Sequence, residues 1–250
     1  MFHTAAYSLA IPPGSDLDMP AVLDDILTIT NNHFVMTANF QLVAAQVYSP
    51  LMDRAKISSP TMRQIAPPYL RPVEQKLVGS SNYNMVLWDN NPFNLVPYEE
   101  IQLLATSTIG AATEQATGLI WIQQTEMMIP SGGWIPLRFA SVGTAVLGRW
   151  TTVPVIFADT IPSGVYAMVL SEVFSSNGQA HRWIVSNQNL RPGYPSFVNS
   201  FSRHPYAVSK GQFGMMGQFK SNDLPRLQVY CNGVDAVHTG YLHVVRIGSL

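Results

Sequence analysis

Six histidines, one cysteine and fifteen carboxylates are the side chains from which this 250-residue chain could build a reactive centre. The histidines are His3, His33, His181, His204, His238 and His243. None stands in a Cys-rich or His-x-x-x-His setting with the ligand spacing of a zinc site, and the Gly between His238 and His243 suits a turn. The expectation is no metal site, with His243 a satisfied core or interface residue of the last strand. The acidic doublets Asp24-Asp25 and Glu99-Glu100 read as solvated turns or a helix start rather than as paired carboxylates for acid–base work. A glycosidase would need two carboxylates facing each other across a cleft, and nothing in the pattern selects a pair. There is no Gly-x-Ser-x-Gly elbow, no phosphate-binding glycine loop and no dinucleotide fingerprint. Gly211-Gln212-Phe213-Gly214-Met215-Met216-Gly217 is glycine-rich, but its apolar spacing fits a strand edge or bulge. Asp159 and Asp223 precede turn residues, where Asx hydrogen bonds account for them. The chain is thus expected to carry no catalytic residue, no metal and no cofactor.

Two other groups of residues could recognise a partner. Trp88, Trp121, Trp134, Trp150 and Trp183 are spread along the chain. Exposed on a β-sandwich they would form a sugar platform; buried, they would fill a core or anchor an interface. The stretch 54–73 is the most basic, with Arg54, Lys56, Arg63 and Arg71 set among Pro60, Pro67, Pro68 and Pro72. It is expected to be a loop that docks on acidic groups of a neighbouring chain, which makes the four cations candidate inter-subunit contacts.

The elements that must position these groups are strands nearly throughout. Candidate strands bounded by Gly, Pro, Asn and Ser clusters follow at short spacing, the all-β pattern. They cover 27–36, 40–49, 118–124, 150–157, 164–174, 213–219, 226–231 and 241–247. The run 164–174 is apolar on both faces, as in a strand buried centrally. Helix signals are confined to 20–27, and 97–106 is ambiguous.

The chain also resembles itself. A shift of 126 residues aligns Phe40–Ser49 with Tyr166–Ser175, matching Val43 with Val169, Val47 with Val173 and Ser49 with Ser175. The same shift brings Phe93 onto Phe219 and Ile101-Gln102-Leu103 onto Leu227-Gln228-Val229. A shift of 122 brings Thr117–Ile122 onto Thr239–Val244, and Leu70-Arg71-Pro72 meets Leu190-Arg191-Pro192 once a gap is allowed. The order of matches is the same in both halves. The reading is two tandem β-sandwiches at 21–128 and 129–250, joined at Ile129-Pro130-Ser131-Gly132-Gly133, each of a size for seven or eight strands. Residues 1–20, with Pro12-Pro13-Gly14 and Pro20, read as an extended N-terminal arm.

Composition bounds the function. Charged residues are 12% of the chain, against about 25% in ordinary globular proteins, and the net charge is −1. That balance excludes a basic nucleic-acid-binding domain and a disordered polyampholyte, and no sequence-specific nucleic acid is expected as a partner. So little charge favours a surface hidden against further copies. One cysteine, Cys231, forms no internal disulfide and suggests folding in a reducing compartment. No run approaches the roughly 20 apolar residues of a membrane-spanning helix, and the start, Met1-Phe2-His3-Thr4-Ala5-Ala6-Tyr7, does not read as a signal peptide.

Tandem sandwiches, an extended arm, low charge, a single thiol and no catalytic constellation together resemble the major capsid proteins of double jelly-roll viruses, including the small tailless bacterial viruses with an internal membrane. The resemblance covers roughly 21–250 as an architecture and rests on no signature motif. It implies two eight-stranded antiparallel jelly rolls per chain, three chains per pseudo-hexameric capsomer, and an icosahedral shell of capsomers. It further implies other virion proteins and an internal membrane as partners, synthesis in the host cytoplasm and residence in the virion. The alternatives from other classes are a carbohydrate- or receptor-binding sandwich, such as a spike or adhesin, and a sandwich hydrolase.

Overall fold

The computed structural model describes residues 2–21, 29–30, 33–49, 52–63, 69–70, 86–87, 92–107, 113–124, 131–185, 193–195, 217–231 and 233–250. Two compact units divide the chain, one of Thr4–Thr125 and one of Glu126–Leu250 with Met1–His3. Almost every described element is a strand; the exception is one helical turn, α1 (Pro60–Arg63), which proline opens at the position where its missing N–H costs nothing.

In the first unit the strands are β1 (Phe2–Ile11), β2 (Asp16–Met19), β3 (Ile29–Thr30), β4 (His33–Val35), β5 (Phe40–Tyr48), β6 (Met52–Ser58), β7 (Tyr69–Leu70), β8 (Val86–Leu87), β9 (Phe93–Leu95), β10 (Glu100–Ser107) and β11 (Glu114–Gln123). One sheet runs β1-β11-β5, with β8 and β9 both on the far edge of β5. The other runs β2-β10-β6-β7, with the β3-β4 hairpin extending the β10 edge. Setting aside that hairpin and counting β8 with β9 as one interrupted strand leaves eight. Their orders are then first–eighth–third–sixth and second–seventh–fourth–fifth. That is a long antiparallel ribbon rolled on itself, the jelly roll.

The second unit repeats it. Its strands are β12 (Ile135–Ser141), β13 (Trp150–Val153), β14 (Val155–Phe157), β15 (Val165–Phe174), β16 (Gly178–Ile184), β17 (Gly193–Pro195), β18 (Gly217–Lys220), β19 (Arg226–Cys231) and β20 (Thr239–Gly248). The sheets are β14-β12-β20-β15-β18 and β13-β19-β16-β17. Without the short edge strand β14 the orders are again first–eighth–third–sixth and second–seventh–fourth–fifth.

The duplication holds at single-residue register. Thr117 faces Tyr48 and Gly118 faces Val47 across β11 and β5; Thr239 faces Phe174 and Gly240 faces Val173 across β20 and β15. These are the pairs that the two sequence shifts bring into correspondence. The Phe93–Phe219 match is off by two residues: Leu95 faces Phe40, whereas Phe219 faces Tyr166, so Leu95 is the counterpart of Phe219. Arg71, Pro72 and 190–192 lie outside the described residues.

Residues 1–20 are not an arm. They supply β1 and β2, the first two strands of the first jelly roll, turning at Pro12-Pro13-Gly14 with Gly14 at φ 64. His3 through Tyr7 and Ile11 are buried, and the Tyr7 hydroxyl donates to the Ile101 carbonyl at 3.1 Å, tying β1 to β10 in the opposite sheet. The prolines that suggest an unpaired arm lie in the turn and at the strand end, where no ladder N–H is needed. The ambiguous stretch 97–106 is strand from Glu100, with Ile101, Leu103, Ala105 and Ser107 buried in strict alternation. The helix expected at 20–27 falls on residues of which 22–28 are outside the described set.

Each sandwich closes on its own core. In the first, Gly118 of β11 lies so close to β10 that an added Cβ would meet Leu103 at 2.2 Å. In the second, Phe139 of β12 packs edge-on against Trp183 of β16, with ring centroids 5.2 Å apart. The both-faces-apolar run of β15 is buried continuously from Tyr166 to Ser171, between β20 and β18.

Candidate functional site

Of the four candidate inter-subunit cations, Arg54 and Lys56 stand two apart on one face of β6, opposite the buried Ala55 and Ile57. Where a loop is expected, the described residues are strand and a helical turn: β6 runs to Ser58 as an inner strand between β10 and β7, and α1 follows at Pro60–Arg63. Arg54 is exposed and Lys56 half-buried. Arg63 ends α1, and Arg71 lies outside the described residues. The structure therefore places two of the four on a common face and leaves the grouping of the others undescribed.

On the same sheet, two strands across, β2 carries Asp16 and Asp18 outward. Asp16 accepts the Thr106 hydroxyl at 3.0 Å. Asp18 holds His33 Nε2 in a very short contact, and Glu100 approaches His33 Nδ1 at 3.1 Å. Burial alone would lower the His33 pKa, but the hydrogen bonds and charges of Glu100 and Asp18 outweigh it, and the net shift is upward. Glu100 is thus a strand residue in an ion-pair cluster. Its neighbour Glu99 is buried, not solvated: its carboxylate accepts the Thr61 N–H at 2.8 Å and the Val96 N–H at 2.9 Å. Asp24 and Asp25 lie outside the described residues.

The second jelly roll holds a buried polar centre that sequence spacing does not reveal. Trp183 Nε1 donates to Ser171 Oγ at 2.8 Å, and the same hydroxyl shares a hydrogen bond with His181 Nε2 at 3.1 Å. A serine and a histidine at that separation are the geometry of an activated nucleophile. Here both are fully buried, and burial, reinforced by nearby His238, pushes the His181 pKa down to about 3. The imidazole is neutral and no substrate reaches the hydroxyl, so the pair is a core network joining β15 to β16.

Next to it, Cys231 at the end of β19 lies with Asp235 and His238 of the following turn, their ligand atoms all within 4.8 Å of one another. All three are buried. Burial, with the Asp235 charge beside it, pushes the Cys231 thiol up to about 12. Burial opposes ionisation of Asp235 as well. Hydrogen bonds from the Ser175 hydroxyl, the Asn177 N–H at 3.0 Å and the Val237 N–H at 3.2 Å outweigh that and hold its carboxyl below the usual range. Burial lowers His238. The expectation of no metal ligand set rested on histidine spacing; the fold instead gathers one thiol, one carboxylate and one imidazole from eight consecutive residues. Cys-x-x-x-Asp-x-x-His is the signal available in the sequence, and it is legible only once 231–238 is known to turn back on itself.

His243 also differs from expectation: it sits on β20 with Nε2 buried and without a hydrogen-bond partner, its ring 6.1 Å from that of Trp134. The described tryptophans build no platform. Trp121 and Trp183 are core residues, and Trp134 and Trp150 are partly covered, Trp150 by the Arg182 guanidinium 5.5 Å from its ring centre.

No protein-family model matches the chain, and no curated protein does. Among solved structures the chain is similar to the one described as the crystal structure of the STIV MCP, a major capsid protein, at 10% identity over 98% of this chain and 97% of that one, with a TM-score of 0.25. A likeness that loose adds nothing to what the strand order of this chain establishes. The jelly-roll assignment rests on the two sheets of each unit.

Proposed function

We propose that this chain is a viral major capsid protein of the double jelly-roll kind, which trimerises into pseudo-hexameric capsomers that tile an icosahedral shell. The observation that carries the reading is the duplication itself, the same eight-strand order repeated in both units with the same register of third against eighth strand. A chain built of two like sandwiches offers its neighbours two like sides, so three chains make a six-sided tile.

Three further observations support a structural role. The Ser171–His181 pair is occluded. Charge is sparse. At one end of the second jelly roll Val142, Val146, Leu147, Val234 and Val237 are exposed, Val234 at 67%, on two turns bridged at Ala145 and Asp235. Apolar side chains in that number are what a shell would cover. In this reading Arg54, Lys56, Arg63 and Arg71 are inter-subunit contacts, the partners are further copies, other virion proteins and an internal membrane, and the location is the virion, after synthesis in the host cytoplasm.

Light scattering of the purified chain tests it. Three chains of 27.6 kDa give a species of about 83 kDa, or larger closed assemblies of it. A monomer that stays a monomer at high concentration contradicts it.

A further inference from the structure

We propose that Cys231, Asp235 and His238 form a structural binding site for a thiophilic divalent cation of the zinc class. The three ligand atoms lie within 4.8 Å of one another, and the residues are 0%, 6% and 0% exposed. Both ring nitrogens of His238 are buried and neither makes a well-formed hydrogen bond, the Asp235 backbone and carboxylate beside the ring being its polar neighbours. A buried imidazole without a strong hydrogen bond costs free energy that a ligand would recover. A cation beside the thiol and the carboxylate would do so.

The surroundings hold the ligands as the outer contacts of a metal site do. His238 is fixed through its backbone: its N–H donates to Ser141 Oγ at 2.9 Å, and its carbonyl accepts the Ser141 N–H at 2.7 Å. Asp235 is bridged to Ala145 through its own carbonyl at 2.8 Å. The Asp235 carboxylate is oriented by the Ser175 hydroxyl and Asn177 N–H on Oδ2 and by Val237 N–H on Oδ1, and Oδ1 keeps a lone pair. The Ser175 hydroxyl accepts the Gly178 N–H at 2.8 Å, which anchors it to the start of β16.

The donor set selects the ion. One sulfur, one nitrogen and one oxygen suit zinc or cobalt, whereas calcium and magnesium require oxygen alone. On binding, the thiol proton leaves to bulk buffer and the thiolate takes its place on the cation. Bond lengths of about 2.0–2.3 Å would draw the three donors together by about 1 Å. Three protein ligands leave a fourth position for water. The ligands are buried, so the role of the site is to pin the 233–238 turn, with its exposed Val234 and Val237, against β12 and β16.

The test uses the full chain, stripped with chelator and titrated with Zn2+ and separately with Co2+. One equivalent per chain should bind, and Co2+ should show a thiolate charge-transfer band. At a free Zn2+ concentration of about 100 Kd the unfolding equilibrium constant should fall about 100-fold. Cys231→Ser, with folding checked by circular dichroism, should lose the band and weaken Zn2+ binding by at least about 100-fold. Asp235→Asn keeps one oxygen for the Ser175 hydroxyl and Asn177 N–H but sets an amide NH2 against Val237 N–H, so with folding checked in the same way it should weaken Zn2+ binding while the secondary structure is retained. A folded wild-type chain that binds no stoichiometric Zn2+ overturns the proposal. Retention of the band in Cys231→Ser, or equal stabilisation by Ca2+ or Mg2+, overturns it equally.

Discussion

Val43 and Val169 are each the one residue that their strand's ladder skips. Across β5 and β11 the register passes from Ala44 against Trp121 to Leu42 against Ile122; across β15 and β20 it passes from Leu170 against His243 to Met168 against Val244. A bulge bends a strand and re-aims its side chains. The same bulge at residues of the same type, in the same strand of both jelly rolls, makes the duplication a matter of backbone geometry and not only of strand count.

The two corresponding glycines, Gly118 opposite Val47 and Gly240 opposite Val173, should respond differently to a methyl group. A Cβ on Gly118 meets the flexible end of Leu103 at 2.2 Å, whereas one on Gly240 meets the backbone carbonyl of Glu172 at 1.9 Å. Gly118→Ala should cost about 1–2 kcal/mol and Gly240→Ala about 3 kcal/mol or more. Urea unfolding of the two variants gives the order; equal costs would refute it.

Stability should carry a signature of His33. Its folded pKa lies above the ordinary 6.5, so the clamp from β4 to Asp18 and Glu100 contributes fully below pH 6.5 and is lost as pH rises through the folded value. Both carboxylates are more than a third exposed, which limits the effect to no more than about 1 kcal/mol. Thermal melts of wild type and His33→Gln should diverge at pH 5.5 and converge by pH 9, and in high salt the gap should shrink.

Glu99 should matter more, and at the acid end. Burial would raise its pKa, but the Ser59 hydroxyl and the Val96 and Thr61 groups outweigh it, and the folded value lies below 4.5. Its stabilisation is therefore present above pH 4.5 and lost as pH falls through the folded value. Glu99→Ala leaves two backbone N–H groups without their acceptor and should cost about 2–3 kcal/mol at pH 7, measured by denaturant unfolding.

The Ser171–His181 pair should be inert to chemistry and important to folding. A fluorophosphonate probe should leave the native chain unlabelled. Ser171→Ala removes the acceptor of Trp183 and the hydrogen-bond partner of His181 and should cost about 2–4 kcal/mol. Labelling of Ser171 in the folded protein would reopen the hydrolase alternative.

What was legible in the sequence follows from how each segment is buried. β15 shows in the string because burial on both faces leaves a continuous apolar trace, and β19 because Leu227, Val229 and Cys231 alternate with Arg226, Gln228 and Tyr230, although all but Arg226 are buried. The β5–β11 repeat of β15–β20 shows because paired partners are shifted by nearly the same number of residues. β1 and β2 were hidden by their prolines and by Thr4, Ala5 and Ala6, small residues that fill a tight core without looking hydrophobic. The chemistry of the second unit was hidden for another reason: Ser171 meets His181 and Trp183 only across two sheets, and Cys231 meets His238 only around a turn. Neither distance is written in sequence spacing.

Electron microscopy of the purified, unstained-then-frozen assemblies tests the central claim most directly. The account predicts end-on views with six lobes from three chains, alternating between first and second jelly rolls, alone or tiled into curved sheets and shells. Single two-lobed particles at every concentration and ionic strength would contradict it.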